Sequence, residues 1–191
     1  SSDVLDPRPE TETLIEAALS EPFDHVLDLG VGSGCILITL LAERTSASGL
    51  GADLSEAACL QASANAVLHQ VQGRVEIVQS NWFEDIEGQF DLIVSNPPYI
   101  SVTEMANLSP EVREHEPRMA LTDEGDGLSA YRTSAQEAPK HLKPGARLMV
   151  EIGPTQGRAV TELFRSAGLE DVQLHPDLDG RDRVVLGRKP A

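Results

Sequence analysis

An apolar run closing on Asp28-Leu29-Gly30-Val31-Gly32-Ser33-Gly34 constrains this chain more than any other stretch of it. Glycine at every second position, directly after His25 to Gly30 (HVLDLG) and directly before the apolar Cys35 to Leu41, predicts a strand, a tight turn and a helix in that order. The missing side chains let backbone approach a ligand closely, and a helix that begins there presents free N–H groups. The spacing is not the G-x-G-x-x-G of dinucleotide-binding turns. The following strand closes on Asp53, where a carboxylate can accept both ribose hydroxyls of a nucleoside. Turn and carboxylate together point to an adenosine-containing ligand. The alternative is a plain strand-to-helix turn, with Asp53 merely capping the next helix.

The same unit recurs along the chain. Leu50 to Leu54 reads as a strand, Ser55 caps a helix through about His69, and Val75 to Gln79 and Phe90 to Ser95 read as strands. Before them, Pro9 to Leu19 places Leu14, Ile15, Ala18 and Leu19 on one helical face. After Asn96-Pro97-Pro98-Tyr99 an irregular stretch runs to about Gly125, long enough to be a lid or substrate-docking loop. A helix from Gly127 to His141 leads through the turn Lys143-Pro144-Gly145 into the strand Ala146 to Ile152, and a helix from about Gln156 to Ala167 follows. Two strands end the chain, Glu170 to His175 and Arg183 to Gly187, and the polar loop Pro176 to Asp182 between them favours a hairpin. Alternating strands and helices predict a Rossmann-like α/β domain: a mostly parallel sheet of about seven strands, helices on both faces, and an antiparallel last strand.

The second motif, Asn96-Pro97-Pro98-Tyr99, falls at the C-terminal edge of that sheet, where ligands bind in open α/β folds. It suits the handling of a planar NH₂ group, whose lone pair is delocalised and whose two N–H bonds must be gripped before it reacts. The Asn96 side-chain oxygen can take one hydrogen and a prolyl carbonyl the other, since proline fixes the backbone and donates no hydrogen bond. Tyr99 can stack on the plane. The alternative is an Asn-Pro turn that only ends a strand.

Composition narrows the field of partners. The 191 residues suffice for one α/β domain without disulfides or metals. Net charge is −16, 31 acidic against 15 basic residues, which opposes unassisted binding to bare DNA or RNA and favours a protein substrate. No apolar run approaches the roughly 18 residues of a membrane span. Cys35 and Cys59 read as small core hydrophobes, and nothing indicates secretion, so a cytoplasmic monomer is expected. His25, His69, His115, His141 and His175 are scattered with no two at metal-ligand spacing, so no metal is predicted. Glu84, Asp85 and Glu87 read as a solvated turn. The start, Ser1-Ser2-Asp3, suggests a chain cut from something longer; residues 1–24 are then a helix and linker from an N-terminal domain, and 25–191 the catalytic domain.

DLGVGSG, Asp53, Asn81-Trp82-Phe83 and NPPY resemble the class I methyltransferases that act on planar amino or amide nitrogens. Pro7-Arg8-Pro9-Glu10-Thr11-Glu12, Glu116-Pro117 with Ala120-Leu121, Asp126-Gly127-Leu128 with Tyr131-Arg132, Glu151-Ile152-Gly153, and Gly180 with Arg183-Val184 extend the resemblance to the PrmC/HemK family over nearly the whole chain. That family comprises the protein-(glutamine-N5) methyltransferases of peptide-chain release factors. The resemblance implies methyl transfer from S-adenosylmethionine, leaving S-adenosylhomocysteine, to the glutamine of a Gly-Gly-Gln loop in class I release factors. By the same resemblance Gly30, Val31, Gly32, Ser33 and Gly34 match the cofactor loop, Asp53 with Leu54 the ribose site, and Trp82 an aromatic flanking the adenine. Asn96, Pro97, Pro98 and Tyr99 match the amide clamp, with Asn96 also reaching the cofactor, and Arg8 and Glu10 fall near the pocket mouth.

Two departures stand out. The family carries aspartate where Asn81 stands; asparagine can accept from the adenine amino group but lacks the charge, so weaker cofactor binding is expected. Members also have an N-terminal helical domain that helps seat the release factor; this sequence is expected to be the catalytic piece of such a protein. Competing readings are an N6-adenine methyltransferase, an enzyme acting on a ribosomal-protein glutamine, and a non-catalytic cofactor-binding scaffold.

Overall fold

Three strands are apolar almost throughout rather than alternating. Val26 to Leu29, Leu92 to Ser95 and Ala146 to Glu151 are buried on both sides, as the central strands of a parallel sheet covered on both faces must be. The computed structural model describes residues 11–105 and 121–191. Its elements run α1 (Thr11–Leu19), β1 (His25–Leu29), α2 (Cys35–Glu43), β2 (Ser48–Asp53), α3 (Glu56–Leu68), β3 (Val75–Gln79), β4 (Phe90–Ser95), α4 (Val102–Met105), α5 (Ser129–His141), β5 (Leu142–Glu151), α6 (Gly157–Ser166), β6 (Glu170–Pro176) and β7 (Asp182–Arg188).

The seven strands lie in the order β3-β2-β1-β4-β5-β7-β6. All pairings from β3 to β5 are parallel, and β7 runs antiparallel to both β5 and β6. The antiparallel last strand is thus as expected, and it is inserted between β5 and β6. On one face Leu14 and Ala18 of α1 join Leu37, Leu40 and Leu41 of α2 and Ala62 and Ala66 of α3 over the sheet. On the other, Tyr131, Ala135 and Ala138 of α5 and Val160 and Phe164 of α6 cover it. Arg147, in β5 and only 2% exposed, donates to the carbonyls of Ala17, Ala18 and Glu21, supplying partners that the C-terminus of α1 lacks.

Local differences from the sequence reading have physical causes. Lys143-Pro144-Gly145 lies inside β5 as an irregularity: the register with β4 jumps from Phe90↔Leu142 to Leu92↔Arg147, and the Gly145 N–H bonds the Lys189 carbonyl instead. Helix α5 starts at Ser129, because the Asp123 carboxylate takes the N–H groups of Gly125, Gly127 and Ser129 and holds that approach in a turn. Of the stretch expected to be irregular, Ser101 to Met105 carries the short α4, Ile100 bridges Thr122, and residues 106–120 lie outside those described. Pro9, Glu10, Arg8 and the 116–117 pair also lie outside them. Cys59 is buried as expected, whereas Cys35 is half-buried at the start of α2. Among the described residues no helix is long and apolar enough to cross a membrane.

Candidate active site

The sheet order reverses direction between β1 and β4, and at such a point the loops leaving two adjacent parallel strands part and open a crevice. Register then decides which residues meet there. Leu29 pairs with Ala52 on one side and with Ser95 on the other, and Ser95 pairs with Val150. The next residue of each strand is therefore Gly30, Asp53, Asn96 and Glu151, four positions in one row along the C-terminal edge. The Ser95 hydroxyl, buried, donates to the Leu29 carbonyl at 2.7 Å and ties the two central strands at the point where their loops diverge.

The glycine loop is built from backbone that side chains would strain. Gly30, Gly32 and Gly34 have φ of 71°, 54° and 82°, the left-handed region that glycine enters without penalty. The N–H groups of Gly30 and Val31 both bond the Ala52 carbonyl, and Gly32 donates to Asp53 Oδ2 at 2.9 Å. The other Asp53 oxygen accepts from the Ser55 N–H at 2.9 Å, and Ser55 Oγ caps α3 through the Ala58 N–H. Asp53 thus joins the glycine loop to the start of α3. A carboxylate offers about four acceptor directions, so two remain for a ligand.

Beneath this loop lies Asp28, fully buried, with Oδ2 accepting from the Leu37 N–H and Oδ1 without a hydrogen-bond partner. Burial pushes its carboxyl up to about 7, the Leu37 N–H works against that, and the neighbouring Asp53 charge adds to it. A buried carboxylate with an orphaned oxygen under an open glycine turn suits a cationic ligand; a Cβ built on Gly30 would meet nothing within 4 Å.

The loop after β3 brings up the third group. Trp82 has φ 54° and is half-buried, Ser80 Oγ holds its carbonyl, and the Asn81 amide donates to Glu84 Oε1 at 2.9 Å. The Asn81 nitrogen is thereby committed and its oxygen is left as the acceptor. Leu54, 53% exposed, lies directly beyond Asp53.

Asn96 to Tyr99 leave β4 without regular structure, Pro97 buried and the other three half-buried. Two supports hold this segment. Asn96 Nδ2 donates to Thr11 Oγ1 at 3.3 Å, and Thr11 donates in turn to Glu151 Oε2 at 2.8 Å. Gln156 braces the far side: Nε2 donates to the carbonyls of Tyr99 and Gly127, and Oε1 accepts from the Gly153 N–H and shares the one Tyr131 hydroxyl hydrogen with the Glu151 carbonyl. Gly127 packs so closely that a Cβ there would stand 2.4 Å from the Tyr99 carbonyl oxygen. Burial raises the Tyr131 hydroxyl pKa well above its ordinary value, so it stays a donor.

The structure thus gathers Gly30 to Gly34, Asp53, Leu54 and Asn96 to Tyr99 along one edge, with Asn81 and Trp82 on the loop beyond β3. Sequence reading assigned no role to Asp28, Thr11, Glu151 or Gln156. The available signal was polarity in the wrong place: Asp28 sits within the apolar run of β1, and Glu151 follows Leu148 to Val150 at the end of β5. Of the histidines, His25 Nδ1 lies 2.8 Å from Ser48 Oγ and His141 stacks on Phe83, and no group of three possible metal ligands occurs among the described residues.

Comparisons with known proteins place the chain in a family and its fold among known ones. Residues 1–126 match the family model described as methyltransferase small domain. A release factor glutamine methyltransferase of Cereibacter sphaeroides is 59% identical over 189 residues, covering 99% of this chain and 68% of that protein. Its counterpart from Caulobacter vibrioides is 47% identical over 194 residues, covering 99% and 67%. Among solved structures, a methyltransferase from Pyrococcus furiosus superposes with a TM-score of 0.71 at 15% identity, covering 98% of this chain and 89% of that one. An RNA methyltransferase from Salinibacter ruber, solved with S-adenosyl-L-homocysteine, gives 0.62 at 21% identity over 98% and 94%. The last two speak for the fold alone. The sequence matches go further, and by them the chain belongs to the release factor glutamine methyltransferases of the methyltransferase small domain family.

Proposed function

We propose that this chain transfers a methyl group from S-adenosylmethionine to the side-chain amide nitrogen of the Gly-Gly-Gln glutamine in a class I peptide-chain release factor. The observation that carries the reading is the single row of Gly30, Asp53 and Asn96 at the reversal of strand order, a nucleoside-binding edge adjoining an amide-binding tetrad. The names of the related proteins support the substrate.

S-adenosylmethionine, when bound, supplies an electrophilic methyl on a sulfonium centre. In this reading Gly30, Val31, Gly32, Ser33 and Gly34 bring backbone against it, and the remaining acceptor directions of Asp53 take the ribose hydroxyls beside Leu54. Asn81 Oδ1 accepts from the adenine amino group and Trp82 flanks the ring. The buried Asp28, when ionised, contributes negative potential where the ligand is cationic. On the substrate side Asn96 Oδ1 and the Pro97 carbonyl each accept one amide hydrogen, and the Tyr99 ring, anchored by its own carbonyl through Gln156, stacks on the amide plane. Held so, the nitrogen lone pair would be aligned with the methyl carbon; the new C–N bond would form as the S–CH₃ bond breaks with its electron pair left on the sulfur of S-adenosylhomocysteine, one amide proton would pass to water, and the rate would come from orientation and fixed dipoles.

The test is incubation with S-adenosylmethionine and a purified class I release factor, followed by mass spectrometry of the peptide bearing the Gly-Gly-Gln glutamine. One added methyl on that glutamine is expected. Asn96→Ala is expected to lower the rate by about 100-fold or more, as loss of a positioned hydrogen-bonding group does. Methylation undiminished in Asn96→Ala would overturn the clamp, and methyl found on another residue would overturn the substrate.

A further inference from the structure

A carboxamide is nearly symmetrical in shape and opposite in chemistry at its two ends; a half-turn exchanges an acceptor for a donor. The proposed role of Asn96 requires the acceptor end toward the substrate amide, because an NH₂ turned toward another NH₂ repels it. Some feature must therefore decide which way the Asn96 side chain faces.

The chain of donors behind it does so. Thr11 Oγ1 carries one hydrogen and gives it to Glu151 Oε2 at 2.8 Å. With its one hydrogen given to Glu151, the Thr11 oxygen can offer Asn96 only lone pairs. Asn96 answers with Nδ2, at 3.3 Å, and Oδ1 is turned away from Thr11. Thr11 is 5% exposed and Glu151 1%, so bulk water does not compete for these bonds. The three side chains come from separate parts of the fold: the first turn of α1, the end of β4 and the end of β5. The register that pairs Ser95 with Val150 sets Asn96 beside Glu151.

We propose that Thr11 and Glu151 are positioning residues that fix the polarity of the Asn96 carboxamide and thereby present its oxygen to the substrate. The inference rests on the assignment of Asn96 as the amide grip. Neither residue touches the reacting atoms; both act through Asn96.

The experiment compares Thr11→Val, Thr11→Ser, Glu151→Met and Asn96→Ala in steady-state methylation of a class I release factor, with calorimetric binding of S-adenosylhomocysteine as the control for an intact fold and cofactor site. Thr11→Val keeps the shape and removes the relay; kcat is expected to fall about 10- to 100-fold, the size of effect a misaligned contact produces, with S-adenosylhomocysteine affinity within about twofold of the parent. Thr11→Ser restores the hydroxyl and is expected to recover most of the rate. Glu151→Met frees the Thr11 hydrogen to turn toward Asn96 Oδ1, reversing the carboxamide, and is expected to lose kcat as Thr11→Val does. Full activity in Thr11→Val or in Glu151→Met, beside an inactive Asn96→Ala, would overturn this inference and leave the clamp standing. Equal loss in Thr11→Val and Thr11→Ser would do the same, since a packing role and not a hydroxyl would then be at stake. Full activity in Asn96→Ala would instead remove the clamp on which the inference rests.

Discussion

Asp28 is the residue whose chemistry departs furthest from its ordinary state, and the departure has a direction in pH. Its carboxyl is raised from 3.8 to about 7, chiefly by burial. Between those values the native state holds a proton that the unfolded chain has released, so the stability it contributes is present in acid and lost as pH rises through 7. The full effect of this one site is at most about 4 kcal/mol, three pK units at 1.36 kcal/mol each. The carboxylates of Asp91, Asp123, Asp126 and Asp177 are shifted the other way, so their stabilisation is lost only as pH falls below the ordinary carboxyl range. The two windows do not overlap. Urea midpoints measured at pH 5 and pH 8 should therefore show the protein less stable at pH 8, and Asp28→Asn, which carries no charge at either pH, should remove most of that difference. A slope unchanged in Asp28→Asn would assign it to another group. The residue stood in plain view in the glycine motif, yet its burial and its orphaned oxygen depend on Leu37 and Asp53 closing over it, which spacing alone does not disclose.

At the scale of elements the chain was largely legible, because parallel strands buried on both faces write themselves as apolar runs and glycines punctuate them. β3 and β4 have the bounds read from sequence, and β1, β2 and α3 differ by a residue or two. What failed were features decided by a distant partner: the irregularity at Lys143 to Gly145 exists because Lys189 pairs there, and the late start of α5 reflects the hold of Asp123 on the turn before it. The cap of α3 is local and was read correctly. Ser55 Oγ accepts from the Ala58 N–H, and its own N–H goes to Asp53, so this one residue links helix stability to the proposed ribose side of the site. Ser55→Ala is expected to cost about 1 kcal/mol of stability, the usual loss of a side-chain cap, seen as a lowered urea midpoint with unchanged slope. Because the Ser55 N–H survives the change, Asp53 keeps its partner, and affinity for S-adenosylhomocysteine should hold within about threefold. A loss of binding far larger than the loss of stability would show that the cap orders the carboxylate as well.

Over the whole molecule, the site is assembled from segments that only the complete sheet brings together. Thr11 and Asn96 lie 85 residues apart and Thr11 and Glu151 lie 140 apart, so no local pattern could announce their contact. The glycine motif and NPPY were legible because each is contiguous; the supports of the tetrad were not, because each is a meeting of elements. Helix α1 is the piece on which this matters most. It packs against α2, β5 and β7 through Leu14 and Ala18, and its C-terminal carbonyls are held by the buried guanidinium of Arg147, while its first residue enters the site. Arg147 is thus a clamp at one end of a helix whose other end positions Asn96. Arg147→Met fills much of the same space and takes the guanidinium from the Ala18 and Glu21 carbonyls and from that of Ala17, which keeps Ser20 as a donor; the loss of hydrogen bonds to a charged group predicts about 2 to 4 kcal/mol of destabilisation. The cost should not be spread evenly. α1 is joined to the rest by its apolar stripe, by the hydrogen bonds of Thr11, by the Arg44 bond to the Leu19 carbonyl and by this clamp, and only the clamp is lost, so its amides should exchange faster with solvent than those of β1 and β4, which retain every partner. If α1 loosens as a unit, Thr11 leaves Asn96 for part of the time and kcat falls in step with the exchange at α1, while S-adenosylhomocysteine binding, proposed to draw on β1, β2 and the loop after β3, stays near that of the parent. Hydrogen exchange resolved by peptide, measured beside kcat, decides the matter: faster exchange confined to α1 with lowered kcat supports the helix as the carrier of site geometry, and uniform acceleration across the sheet would show Arg147 to be a general support of the core.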